Sequence, residues 1–249
     1  QRRIAIDRVG VKSLRHPVRV RCEGGALMHS VAVFDLSVRL PETAKGTHMS
    51  RFVELIESQP EPLSAATLPG LLEHMLARLD AGEGHITARF PFFMEKHAPI
   101  SGVKSTLDYE VELAGEMKDG RANVATRVTI PVTSLCPCSK EISAYGAHNQ
   151  RAHIAIRVEG PEPIAIESII ALAEAQASSA LYGVLKRTDE KYVTERAYEN
   201  PKFVEDVARD VAAALDADAR VAAYVVEVEN FESIHNHSAF AVLERRKPA

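Results

Sequence analysis

Residues 34–40 read FDLSVRL, with Phe34, Leu36, Val38 and Leu40 apolar and Asp35, Ser37 and Arg39 polar between them. Side chains alternate sides along a strand, so this period of two predicts a strand with one face in the core. Upstream, Gly24-Gly25 marks a turn after a short strand expected over Pro17 to Cys22. Downstream the period lengthens: Phe52, Leu55 and Ile56 fit one helix, and Leu68, Leu71, Leu72, Met75, Leu76 and Leu79 recur at helical spacing in a second. Beyond Gly82 and Gly84, Ile86 to Phe93 and the alternating Leu107, Tyr109, Val111 and Leu113 predict two further strands. The first half of the chain therefore reads ββααββ.

Lys118-Asp119-Gly120 is a hairpin signal, and after it the same order recurs. Strands are expected at Val124 to Val132 and Ile154 to Val158, helices at Ile166 to Leu185 and Phe203 to Leu215, and strands at Val221 to Val228 and Ser238 to Leu243. The halves share no residue-level identity, so this repeat is one of element order alone.

A length of 249 residues with 46% hydrophobic content allows one large domain or two small ones around an ample core. No window reaches the roughly 18 consecutive apolar residues of a spanning helix, and the start QRRIAIDRVG lacks the apolar stretch of a secretory signal, so a cytoplasmic protein away from membranes is expected. Three cysteines argue against a disulfide framework, leaving Cys136 and Cys138 as thiols or ligands and Cys22 as an expected core thiol. A net charge of −4 with mixed signs offers no basic footprint for nucleic acid, so an anionic ligand needs a local pocket.

The polar segment SLCPCSKEISAYGAHNQRAH, residues 134–153, concentrates reactive side chains. If it is extended, Cys136 and Cys138 face one way with Pro137 stiffening the link, which suits a soft metal or a reactive thiol. Packed small residues are the plain alternative, and a zinc ribbon would need a second cysteine pair that the chain lacks. His148 follows Cys136 by 12 residues, a weak metal signal by itself. RTDEKYVTERAYENPKFVED, residues 187–206, has the look of a solvated charged face. In FESIHNHSAFAV, residues 231–242, His235 and His237 share a face beside Glu232 if the segment is extended. Together these residues supply mixed N, O and S donors, and a catalytic ion commonly takes three protein ligands with one position open.

PVTSLCPCSKEISAYGAHNQRAH, LKRTDEKYVTERAYENPKFVED, SIHNHSAFA and the earlier GTHMSRF, residues 46–52, closely resemble the prokaryotic type IB GTP cyclohydrolases over most of the chain. The resemblance implies an α+β fold of two tandem T-fold units, each ββααββ with an antiparallel sheet and helices on one face. The first would span residues 1–120 and the second, carrying most of the metal site, residues 121–249. It further implies a β-barrel-like homo-oligomer, a tetramer with active sites between subunits. The implied reaction converts GTP and water to dihydroneopterin triphosphate and formate, the first step toward tetrahydrofolate-type pterins or, in some organisms, modified bases.

By the same resemblance, Cys136, His148 and Glu190 match metal-site positions for a divalent ion (manganese, zinc or iron), and His235 matches a further ligand or proton donor. Glu205 matches the glutamate that anchors the purine. That duty fits, because an ionised carboxylate accepts the adjacent N1–H and amine of guanine as a fork. Cys138, His235 or His237 would shuttle protons, and Glu232 sits in a matching substrate position. Lys140, Arg151, Lys186, Arg187, His48 and Arg51 are the candidate partners for the triphosphate, His48 and Arg51 reaching a neighbouring subunit's cluster. Three rival readings stand beside this one. They are a T-fold nitrile reductase with a cysteine nucleophile and a nicotinamide cofactor, a T-fold cyclohydrolase releasing a cyclic phosphate, and a non-catalytic metal-binding oligomer using Cys136-Pro137-Cys138 as a clip.

Overall fold

The computed structural model describes residues 3–248. Among them are eight strands, β1 (Ile6–Arg21), β2 (Leu27–Leu40), β3 (Gly84–His97), β4 (Lys104–Lys118), β5 (Arg121–Leu135), β6 (Asn149–Glu159), β7 (Ala223–Asn230) and β8 (Ala239–Arg246). Six α-helices accompany them: α1 (Met49–Glu57), α2 (Leu68–Leu79), α3 (Pro137–Ile142), α4 (Ile166–Gln176), α5 (Arg187–Glu199) and α6 (Val204–Ala217).

All eight strands form one sheet in the order β1 to β8, every strand beside its neighbour in sequence. The β1/β2, β2/β3, β6/β7 and β7/β8 pairs are antiparallel. This corrects the expectation of two tandem ββααββ T-fold units with separate sheets in a barrel-like assembly. The ladder does not stop at the midpoint. Asp119 and Gly120 both take positive φ, 51° and 71°, the pattern of a two-residue turn whose twist matches that of the flanking strands. That turn makes β4 and β5 one long hairpin and carries the ladder through. Nor is the second half a copy of the first, since α3 separates β5 from β6 and three helices precede β7.

By internal contacts the chain forms two compact units. One comprises Gln1–Pro91, Val111–Thr126 and Glu162–Ile164, the other Phe92–Glu110, Arg127–Pro161 and Ala165–Ala249. In the first, the alternation read from FDLSVRL holds: Ala32, Phe34, Leu36 and Val38 are buried, with Phe52, Leu55 and Ile56 of α1 and Leu68, Leu71, Leu72 and Met75 of α2. Strand β1 is far longer than the stretch expected at Pro17 to Cys22. It is an edge strand in which only Val20 is buried, so hydrophobic alternation could not reveal it. Its register shifts between Val11 and Leu14, where Ser13 takes a φ of 59°. Cys22 is half-buried, not the core thiol expected.

In the second unit, Val204, Val207, Ala208, Val211, Ala212 and Leu215 form the buried stripe of α6, and Tyr224, Val226 and Val228 are among the buried positions of β7. Helix α4 ends at Gln176, well short of the expected Leu185. The chain turns extended at Ala177, and Ser179 pairs with the end of β5, its carbonyl accepting Thr133 N–H at 2.9 Å. A buried polar cluster also ties β3, β4 and α4: Lys96 pairs with Glu174, whose other oxygen accepts the Tyr109 hydroxyl at 2.9 Å. Burial, reinforced by the Glu174 carboxylate, pushes the Tyr109 hydroxyl well above its ordinary value. No described helix is long and apolar enough to cross a membrane.

Candidate active site

Strand β5 delivers the chain to Cys136, which caps α3 with extended backbone angles, and Pro137 occupies the first helical position, where its missing N–H and fixed φ fit. The segment is therefore not extended through Cys138, as the paired-sulfur reading required; Cys138 lies inside α3 and is exposed, while Cys136 is half-buried. The Cys136 sulfur accepts Ser139 N–H at 3.5 Å, a donor suited to a thiolate.

His148 is tied to the Cys136 turn through its backbone. Its carbonyl accepts Cys136 N–H at 3.3 Å, and its own N–H donates to Ser139 Oγ at 3.2 Å. From the β7–β8 connection, residues 231–238, Ser233 Oγ meets His148 Nδ1 at 3.2 Å. With Nδ1 engaged, Nε2 is the nitrogen available to a ligand, the usual division of labour in a metal-binding histidine.

The same connection is pinned to the start of β6 by further contacts. Buried Gln150 donates from Nε2 to Glu232 at 3.0 Å, Phe231 N–H donates to the Arg151 carbonyl at 2.9 Å, and the His153 and Phe231 rings meet edge to face at 4.8 Å. His235 and His237 stack with ring centroids 5.0 Å apart, and both are exposed.

The charged run at residues 187–206 forms α5 and the first turn of α6, and most of it is exposed, as a solvated face would be. Glu190 is exposed in the first turn of α5, just after Arg187, and Lys186 is the residue before the helix. Glu205 is exposed in the first turn of α6. Asp189, which the sequence did not single out, is fully buried. Burial alone would raise its pKa, but hydrogen bonds from the Ser101 hydroxyl and from the backbone of Ser101, Lys186 and Ile100 outweigh that and hold it well below the usual carboxylate range. Lys140 Nζ donates to the Tyr198 carbonyl at 2.5 Å and lies 4.3 Å from that ring's centroid, tying α3 to the end of α5. Arg151 is exposed on β6.

In the first compact unit, His48 is the residue preceding α1, and Arg51 donates to the Arg78 carbonyl at 2.9 Å near the end of α2. A cavity of about 210 Å³ there, lined by residues that include His16, Arg19, His29, Phe34, Ile56 and Leu63, involves neither of them.

The structure thus joins Cys136 to His148, and Glu232 and Ser233 to the start of β6. Among the described residues, no three Cys, His, Asp or Glu side chains converge as a set that could hold an ion. The Cys136–His148 pair fits a divalent ion in donor chemistry and in its outer hydrogen bonds, and a full set needs a further donor. Sequence reasoning missed Asp189, Ser139 and Ser233. Asp189 had a readable signal, an acidic residue three positions after the residue that starts a helix. Ser233 had none, because its contact is 85 residues away in the chain.

A profile of the family described as type I GTP cyclohydrolase folE2 matches residues 1–241. The chain is 58% identical over 248 residues to GTP cyclohydrolase FolE2 of Paraburkholderia xenovorans, covering 100% of this chain and 92% of that protein. It is 57% identical over 246 residues to GTP cyclohydrolase FolE2 of Burkholderia multivorans, covering 99% and 91%. Among solved structures, uricase from Arthrobacter globiformis superposes with a TM-score of 0.56 at 10% identity, over 97% of this chain and 93% of that one. A hyperthermostable mutant of urate oxidase from Bacillus sp. TB-90 gives 0.53 at 10% identity, over 97% and 99%. At such identities the likeness is one of fold alone.

Proposed function

The chain belongs to the type I GTP cyclohydrolase folE2 family, and from that premise we propose that it opens the imidazole ring of GTP with water, releasing formate and forming dihydroneopterin triphosphate for folate-type pterin synthesis. The observation that carries the reading is the Cys136–His148 pair, with Ser139 N–H on the sulfur and Ser233 on the imidazole, in a chain so similar to proteins of that name. Family membership also favours this reading over the nitrile reductase and the non-catalytic scaffold.

Cys136 and His148 would hold a divalent ion, manganese, zinc or iron, with Glu190 and His235 completing the set. Such an ion lowers the pKa of water enough to supply hydroxide near neutral pH. The remaining duties fall to side chains. Glu205 accepts the guanine N1–H and amine and so fixes the base. Ring opening leaves nitrogens that need protons, and His235 and His237, whose rings stack, together with Cys138 would deliver them. Glu232, held by Gln150, belongs to the substrate-binding group.

For the triphosphate, Lys186, Arg187 and Arg151 are exposed cations. Lys140 and Arg51 are engaged by the Tyr198 and Arg78 carbonyls, and either would have to exchange that contact for phosphate. We place the complete site in a homo-oligomer, a tetramer in which a second copy contributes His48 and Arg51, with residues 121–249 carrying most of the metal-binding groups.

The test is formate release and pterin fluorescence from GTP, using metal-stripped protein titrated separately with manganese, zinc and iron. Both products, dependent on the ion, are expected. Neither product from folded, metal-loaded protein would overturn the reading.

A further inference from the structure

Helix α5 carries Glu190 but has almost no apolar surface with which to dock. Of its 13 residues only Asp189 and Ala197 are buried. A surface helix is ordinarily located by an apolar stripe along one side. Here the first turn is located by a carboxylate. Asp189 Oδ1 accepts the backbone N–H groups of Ile100 and Ser101, both at 2.8 Å. Its Oδ2 accepts Lys186 N–H at 2.9 Å and the Ser101 hydroxyl at 2.6 Å. All four donors are neutral, and they come from two places, the residue just before α5 and the turn that joins β3 to β4.

Glu190 is the next residue, and its N–H makes a first helical bond to the Lys186 carbonyl at 2.9 Å. Its side chain is exposed, with no hydrogen bond or ion pair among the described residues to orient it. The backbone is therefore what restricts where its carboxylate can go. A ligand or base works only if held close to its productive place, and the groups behind it supply that restraint.

We propose that Asp189 is the positioning residue for Glu190: by fastening the first turn of α5 to the Ile100–Ser101 turn, it presents the Glu190 carboxylate from a fixed point. The inference rests on the duty proposed above for Glu190. A purely structural anchor would lower stability without acting through its neighbour, and the two roles separate in a double-variant cycle.

The measurements are Mn²⁺ affinity of metal-stripped protein and the steady-state constants for GTP, made on Asp189→Asn, Glu190→Gln and the double variant. Asp189→Asn is expected to weaken Mn²⁺ binding and kcat by roughly 10- to 100-fold with little change in KM. In the Glu190→Gln background the same substitution is expected to add nothing to either loss. Additive losses, or Asp189→Asn at wild-type affinity and kcat, would overturn the proposal. Glu190→Gln at wild-type affinity and kcat would instead overturn the duty of Glu190, and the proposal with it. Should Asp189→Asn fail to fold, Ser101→Ala removes a single donor; a loss of roughly 3- to 10-fold is expected, restored by Ser101→Thr. Unchanged Mn²⁺ affinity in Ser101→Ala would refute the positioning role.

Discussion

Ser233 Oγ and His148 Nδ1 lie 3.2 Å apart although 85 residues separate them in the chain, so the connection that carries His235 and His237 also holds the His148 imidazole. Replacing Ser233 with Ala should leave that ring free to rotate. Outer partners of ligating histidines are typically worth about tenfold or more in metal affinity. Titration of metal-stripped Ser233→Ala with Zn²⁺ should show such a loss while the thermal midpoint hardly moves, since Ser233 is exposed. Wild-type affinity would remove Ser233 from the site.

Two glycines should respond in opposite directions to the same substitution. A Cβ at Gly160 would stand 1.9 Å from the Arg220 carbonyl oxygen, a backbone atom that cannot step aside alone. Gly160→Ala should cost about 1–3 kcal/mol or more in urea unfolding. Gly70 lies inside α2 with open space around the missing Cβ, and Gly70→Ala should gain about 0.5–1 kcal/mol by helix propensity. A neutral Gly160→Ala would mean that β6 and the segment before β7 are not so closely apposed.

Lys96 and Glu174 are both largely buried, with 9% and 13% of their side chains exposed. Removing the cation alone, as in Lys96→Ala, strands the Glu174 carboxylate and should cost about 3–5 kcal/mol. Converting both partners, Lys96→Met with Glu174→Met, should recover part of that loss even though the Tyr109 hydroxyl then lacks its acceptor. Chemical denaturation of wild type and the two variants checks the order; a double variant less stable than Lys96→Ala would contradict it.

Acid stability should depend measurably on Asp35. Burial raises its pKa, but the Arg89 guanidinium at 2.6 Å and the Ser13 N–H at 2.8 Å outweigh this and lower it below its ordinary value of 3.8. A carboxylate whose pKa is lower folded than unfolded stabilises the fold fully above the unfolded value and stops doing so as pH falls through the folded one. Arg89 is partly exposed, so the pair is worth only about 0.5–1 kcal/mol. Asp35→Asn should therefore unfold more easily than wild type at pH 7, with the gap closing toward pH 3. A gap that widened in acid would have the wrong sign.

How far the sequence could be read depended on what holds each element. Strand β2 and helices α1, α2 and α6 are held by apolar stripes, and their spacing announces them. Edge strand β1 buries only Val20, and α5 is fastened by Asp189, so neither produced a hydrophobic period. The single sheet was hidden for another reason. Element order alone does not say whether the ladder passes through the Asp119-Gly120 turn, and that turn's φ angles decide it. At the site, the motifs around Cys136 and His148 were legible, whereas Asp189 and Ser233 act through hydrogen bonds to distant parts of the chain. The extended Cys136–Cys138 geometry failed because Pro137 starts a helix there.

Because the sheet runs in chain order from β1 to β8, each strand's template is the strand made just before it. The longest closures are those across the helical insertions between β2 and β3 and between β6 and β7. Growth on the ribosome can thus proceed by extension of an existing edge, with the β4–β5 hairpin closing locally and fast. Pulse-labelled hydrogen exchange during refolding should find that hairpin protected before the β6/β7 ladder, which must wait for three helices to pack.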